Sequence, residues 1–137
     1  MDKRLFYLLN KARQRVYKVA DQRCEDDLDV SVTQLGALLA IAHNDGCQLK
    51  DMARELSLNN SAVTGLAGRM EQRGLLERRA CDQDGRSSRL YLTAQGRDTV
   101  DRAWPLIQTL NQRMTEGFTD EEINVILRFL NRLVDEF

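Results

Sequence analysis

The sequence predicts a mostly α-helical protein with one small β-hairpin (α+β), and three observations carry that prediction. Apolar residues recur at three- and four-residue spacing along most of the chain, the period of an amphipathic helix. The period shortens to that of strands only between Leu75 and Leu92. Turn-forming residues, Asn44-Asp45-Gly46, Gly74 and the run Asp82–Arg86, punctuate the periodic segments.

Taken in order, Leu5, Leu8, Leu9, Ala12, Val16, Val19 and Ala20 share one face of a long first helix, with Lys and Arg between them. The acidic run Glu25 to Asp29 is expected to end it. Ser31-Val32-Thr33-Gln34 reads as a capping box, in which a hydroxyl and a side-chain amide satisfy each other's backbone N–H groups. It opens a second helix through Leu35, Leu38, Leu39 and Ile41. Two short helical patterns follow, about Leu49 to Leu56 and about Asn60 to Arg73, the second stopping at Gly74. Leu75 to Ala80 and Arg89 to Leu92 form the hairpin. Thr93 caps a long helix through Val100, Trp104, Ile107, Leu110 and Met114, which Pro105 should kink or shift in register. Thr119-Asp120-Glu121-Glu122 is a second capping box, opening a last helix with Ile123, Ile126, Leu127, Leu130, Leu133 and Val134 on one side.

The chain has 137 residues, 42% of them hydrophobic, which suits one domain with a single core. A net charge of −1 argues against a protein that coats nucleic acid indiscriminately. The charge is unevenly placed, however. Arg69, Arg73, Arg78, Arg79, Arg86 and Arg89 fall in one stretch, while acids gather at Glu25–Asp29 and Asp120–Glu122. No apolar run reaches the length of a membrane span, and Met1 to Val19 is too charged for a signal peptide. Cys24, Cys47 and Cys81 are odd in number and widely spaced, which suits a reducing cytoplasm and not a disulfide framework. No cysteine–histidine spacing suggests a metal. With one histidine, His43, and no catalytic spacing of carboxylates, no enzyme and no cofactor are expected.

The segment Leu49 to Leu66 has the makings of a helix-turn-helix. Ala53 is small where the second helix would cross the first, Ser57 stands where a tight turn more usually has Gly, and Val63 and Leu66 anchor the second helix inward. Its outer face would carry Ser61, Thr64, Gly65, Gly68, Arg69 and Gln72, short side chains that let a helix settle into a major groove. The two glycines cost about 1 kcal/mol each in helix propensity. Either tight helix packing or close approach of another surface would account for them. Placed next, the hairpin reads as a wing with Arg86 at its tip beside Asp84, suited to a narrow minor groove. The alternative is a solvated hairpin with a surface ion pair.

These strings resemble the MarR family of winged helix-turn-helix transcriptional regulators. Asn60 through Arg79 is similar to its recognition helix and first wing strand, and Asp84-Gly85-Arg86 through Gly96 to its wing. Gly68, where the family often has Asp, and Cys81, at a commonly polar wing position, depart from the pattern and bear on base preference. The resemblance implies one winged domain over residues 1–137, with a DNA-binding core at 31–96 and dimerisation helices at 1–24 and 97–137. It implies a cytoplasmic homodimer on a pseudo-palindromic duplex, repressing transcription until a small ligand or oxidant releases it. Ser61, Thr64, Gly65 and Arg69 would then face the major groove, and Asp84 and Arg86 would anchor the wing. Gln34, Asn59 and Asn60 would lie near phosphate, with Arg73 and Arg89 completing the DNA-binding set. Leu5, Leu8, Leu110, Phe118, Ile123, Ile126, Leu130 and Leu133 would form the dimer contact, and Tyr7, Arg15 and Trp104 an effector pocket. Cys81, near Arg79 and Arg86, is the candidate redox thiol. The competing function is a winged-helix protein-interaction module without DNA binding.

Overall fold

The computed structural model describes residues 1–80 and 88–137, which form two compact units, Met1–Leu106 and Ile107–Phe137. The first apolar periodicity folds as one helix, α1 (Leu5–Leu28), whose last turn contains most of the acidic run expected to end it. Termination comes instead from Asp29, which is left-handed (φ 55°, ψ 35°) and donates its N–H to the carbonyl of Glu25. Acidic side chains are unfavourable at the negative end of a helix dipole. Three arginines oppose them: Arg23 pairs with Asp27 at 3.4 Å, Arg102 donates to the Asp27 carbonyl at 2.7 Å, and Arg73 donates to the Asp29 carbonyl.

Helix α2 (Val32–His43) opens with the expected box. Gln34 N–H donates to Ser31 Oγ at 3.0 Å, and Ser31 N–H donates to Gln34 Oε1 at 3.1 Å. Asp21 of α1 accepts the Val32 N–H at 2.8 Å, so the corner between the two helices has its exposed donors filled from both sides.

A strand not foreseen follows. β1 (Cys47–Gln48) is two residues long and pairs antiparallel with β3 (Ser88–Leu92), Cys47 opposite Leu90. β3 also pairs antiparallel with β2 (Leu76–Ala80), giving the order β1-β3-β2 with Leu76 opposite Leu92 and Arg78 opposite Leu90. Between β1 and β2 lie α3 (Leu49–Leu56) and α4 (Asn60–Gln72). Helix α4 stops at Gly74, whose φ of 74° lets the Leu75 N–H reach back to the Met70 carbonyl at 3.0 Å.

The core of the first unit joins these pieces. Leu38 and Ile41 of α2, Met52 of α3, Val63 and Met70 of α4, and Leu75, Leu76 and Leu90 around the sheet are all fully buried. Each aliphatic side chain of this size stabilises the fold by roughly 2 kcal/mol when removed from water.

Thr93 begins α5 (Ala94–Thr115) as expected, accepting the Gly96 N–H at 3.0 Å and donating its hydroxyl to the Gly74 carbonyl at 2.6 Å. A Cβ on Gly96 would lie 2.1 Å from the Leu75 carbonyl oxygen, so helix and sheet meet there backbone to backbone. α5 continues as one helix through Pro105. In the second unit, Thr119 caps α6 (Asp120–Glu136), with the box closed by Glu122 in both directions at 3.2 and 3.0 Å. Among the described residues, none of α6 is buried, although Ile126, Leu127, Phe129 and Leu130 lie along it. No helix among the described residues is long and apolar enough to cross a membrane.

Candidate nucleic-acid interface

Two short helices and a three-residue turn create the candidate surface. In α3, Asp51 Oδ2 accepts the Gln48 N–H at 2.9 Å, and Ala53 is buried. Ser57 closes α3 in the left-handed region, at φ 53° and ψ 43°, where an L side chain costs about 1 kcal/mol or more. The turn is therefore the one expected, made with a residue less suited to it than Gly.

Asn59 then caps α4, its Oδ1 accepting the Ala62 N–H at 2.8 Å. Val63, Leu66, Ala67 and Met70 point inward and are buried. The opposite stripe, Ser61, Thr64, Gly65, Gly68, Arg69 and Gln72, stays wholly or partly exposed and contains no acidic residue. Thr64 is exposed and donates its hydroxyl proton to the Asn60 carbonyl at 2.7 Å.

The glycines in this stripe are not there to admit a neighbouring element. A Cβ on Gly68 would meet nothing within 4 Å. A Cβ on Gly65 would meet only the guanidinium of Arg69, 3.1 Å away and free to move. Of the two explanations open from the sequence, tight packing finds no support at either position among the described residues. Arg69 makes no ion pair among the described residues.

Other expected DNA-facing groups have partners within the chain. Gln34 Oε1 accepts from the Ser31 N–H and from Arg73 Nη1, and Arg73 Nη2 reaches Asp29. Arg89 Nη1 donates to the Gly46 carbonyl at 2.9 Å, tying β3 to the turn before β1. Arg79 binds Glu77 through Nε and Nη2 and stacks on the Tyr91 ring at 4.1 Å. Arg78 lies 3.6 Å from Glu71, and its Nε is buried with no hydrogen-bond partner among the described residues. Asn60 is exposed at the first position of α4. Asp84, Arg86 and Cys81 lie outside the described residues.

The remaining candidates are dispersed. Cys24 and Cys47 are buried free thiols, and burial, followed by nearby aspartates, pushes both thiol pKa values up. Tyr7 accepts from Lys11 Nζ at 2.9 Å under a stacked Arg4, Arg15 is exposed, and Trp104 is 53% exposed. No hydrogen bond or ring contact joins Tyr7, Arg15 and Trp104 among the described residues. Of the expected dimer residues, Leu5, Leu8, Phe118, Ile126 and Leu130 are exposed, and Leu110, Ile123 and Leu133 are half-buried. No group of three or more His, Cys, Asp or Glu among the described residues could hold a metal. The roles of Asp29 and Arg102 were missed from sequence, because each acts through a contact far along the chain.

Known proteins share this arrangement. The family model described as MarR family matches residues 28–87. The HTH-type transcriptional regulator YwhA of Bacillus subtilis is 30% identical over 128 residues, covering 92% of this chain and 92% of that protein. The BpsR structure from Bordetella bronchiseptica, described with regulation of its DNA binding by 6-hydroxynicotinic acid, superposes with a TM-score of 0.87. It is 24% identical and covers 96% of this chain and 99% of its own. The S. aureus MepR–DNA complex gives a TM-score of 0.89 at 22% identity, covering 99% and 100%.

Proposed function

The chain belongs to the MarR family of transcriptional regulators, and on that footing we propose that it is a homodimeric, sequence-specific DNA-binding regulator. The observation that carries this reading is the outer face of α4. It is exposed, free of acid, edged by Arg69, which makes no ion pair among the described residues, and holds two helix-weakening glycines that no described neighbour requires. A helix so shaped fits a major groove, where its backbone can come close to the duplex. Ser61, Thr64 and Arg69 are the base-reading side chains in this reading, and Asn59 and Asn60 lie near phosphate. Asp84 and Arg86 set the wing in the adjoining minor groove. Gln34, Arg73 and Arg89 are committed to the fold and contribute indirectly.

Pairing of two chains rests on apolar surface that one chain leaves uncovered. Leu5, Phe6, Leu8 and Leu9 are exposed along the first half of α1, and α6 exposes Val125, Ile126, Leu127, Phe129 and Leu130. Runs of this kind are covered by a partner in a soluble protein. Residues 31–96 then form the DNA-binding core, with 1–24 and 97–137 as the pairing helices, in a protein of the cytoplasm that acts without enzymatic chemistry. By likeness to BpsR, whose DNA binding is regulated by 6-hydroxynicotinic acid, a small ligand controls DNA binding here, with Tyr7, Arg15 and Trp104 as the candidate pocket; repression, released by that ligand or by an oxidant, is the expected mode.

Selection from a random duplex library, followed by titration over a salt series, tests the reading. A pseudo-palindromic site should emerge. Thr64→Ala and Arg69→Ala should relax base preference within it by about 1–3 kcal/mol at a contacted pair. Arg86→Ala should weaken all duplexes and lower the salt slope by about 0.9. Failure to enrich any sequence would reject DNA recognition in favour of a protein-binding module.

A further inference from the structure

Arg73 sits just beyond the last residue of α4, as its C-cap (φ −80°, ψ −2°). Its guanidinium spans two fixed acceptors. Nη1 donates to Gln34 Oε1 at 3.2 Å, and Nη2 donates to the main-chain carbonyl of Asp29, with Asp29 Oδ2 at 3.2 Å. Both acceptors are held by local geometry. Asp29 is the left-handed residue that ends α1, and the same Gln34 oxygen closes the capping box of α2. A planar fork engaged at both prongs fixes direction as well as distance, which a single-headed cation does not. The carbonyls at the end of α1 also receive Arg102 from α5, at Asp27, so two guanidinium groups converge on one helix end.

We propose that Arg73 is a positioning residue for operator recognition, setting the tilt of α4 against the α1–α2 corner and making no contact with the duplex itself. This rests on α4 being the DNA-reading helix. Inner-face packing by Val63, Leu66, Ala67 and Met70 holds α4 to the core, but apolar contact is non-directional and does not by itself fix the tilt of the helix. The Arg73 fork pins its far end. A helix of this length is roughly 20 Å long, so a tilt of about 10° about its middle moves its N-terminal side chains by roughly 1.7 Å. A hydrogen bond to a base edge does not survive such a displacement. Ser61 and Thr64, at that N-terminal end, are the residues most affected.

The test uses the full-length protein, a duplex enriched by the wild type from a random library, and a random-sequence duplex of equal length. Affinities for both are measured across a salt series for wild type, Arg73→Met, Arg73→Lys and Gln34→Met. Arg73→Met should lower the ratio of operator to random-duplex affinity by about tenfold, the effect of disturbing one base contact. The salt slope should keep its wild-type value. Arg73→Lys, with one prong, should recover little of the loss. Gln34→Met removes an acceptor but leaves the Arg73 charge in place, and it should lower the same ratio. That variant carries the test if Arg73→Met does not fold. A slope reduced by about 0.9, with equal losses on both duplexes, would identify Arg73 as a phosphate contact and overturn the proposal. So would a lowered melting temperature with affinity ratio and base preference intact at temperatures where the variant is folded. If the wild type enriches no duplex, the DNA reading itself fails, an outcome distinct from either.

Discussion

Replacing Gly68 with alanine separates what the fold needs from what the duplex needs. Gly68 lies in the interior of α4, and the added methyl would find open space. Alanine is favoured over glycine in a helix interior by about 1 kcal/mol, with no clash here to offset it. The free protein should therefore become more stable, with a melting temperature raised by roughly 4 °C for a chain of this size. If α4 lies with its backbone against the groove, the same methyl occupies space that the duplex requires. Operator affinity should then fall by about tenfold, or 1.4 kcal/mol. Thermal unfolding followed by circular dichroism, and fluorescence anisotropy with a labelled operator, measure the two effects on one preparation. Opposite signs are the expected pattern. A Gly68→Ala protein that is more stable and binds its operator with wild-type affinity and preference would show that nothing approaches this face. The reason offered for the glycine would then be wrong.

Further substitutions probe the scaffold. Ser57→Gly relieves a left-handed serine and should stabilise the protein by about 1 kcal/mol in urea or thermal unfolding; a loss of stability would mean that the serine side chain is needed. Gly96→Ala sets a methyl 2.1 Å from a backbone carbonyl that cannot move aside, and should destabilise by about 3 kcal/mol or more. In a Cys81→Ser background, Cys24 and Cys47 should resist a disulfide reagent near neutral pH until the protein unfolds, because burial raises both thiol pKa values. Rapid labelling of the native protein would contradict this. The same shifts fix a sign. The folded state keeps these protons to higher pH than the unfolded chain does, so stability is lost as pH rises from about 8.5, the ordinary thiol value, towards the raised folded values. Finally, Ile126→Lys with Leu130→Lys should yield monomers by light scattering and abolish operator binding; paired chains surviving both changes would move the interface elsewhere.

What was legible from sequence is what short-range chemistry determines. Both Ser/Thr capping boxes, at Ser31–Gln34 and Thr119–Glu122, stand as read, because each partner lies three residues from the other. Gly74 and Ser57 likewise mark the helix ends expected of them. The inner and outer faces of α4 follow from a period that four buried residues enforce. What was not legible depends on distant partners. β1 is too short to show alternation and exists because Leu90 and Arg89 lie opposite it. The acidic run near Asp27 looks like a helix terminator. It stays helical because Arg73 and Arg102, 44 residues beyond Asp29 and 75 beyond Asp27, donate to its end. For the same reason Arg73 and Arg89 read from sequence as members of a basic surface, whereas each has a carbonyl of the fold as its partner.

The most direct measurement is hydroxyl-radical footprinting of the selected duplex, combined with the mass of the same complex in solution. Two chains per duplex are expected, with protected stretches on one face about 34–36 Å apart, the spacing that brings successive major grooves to one side. A single chain per duplex, or protection spread evenly around the helix, would contradict paired α4 helices reading DNA.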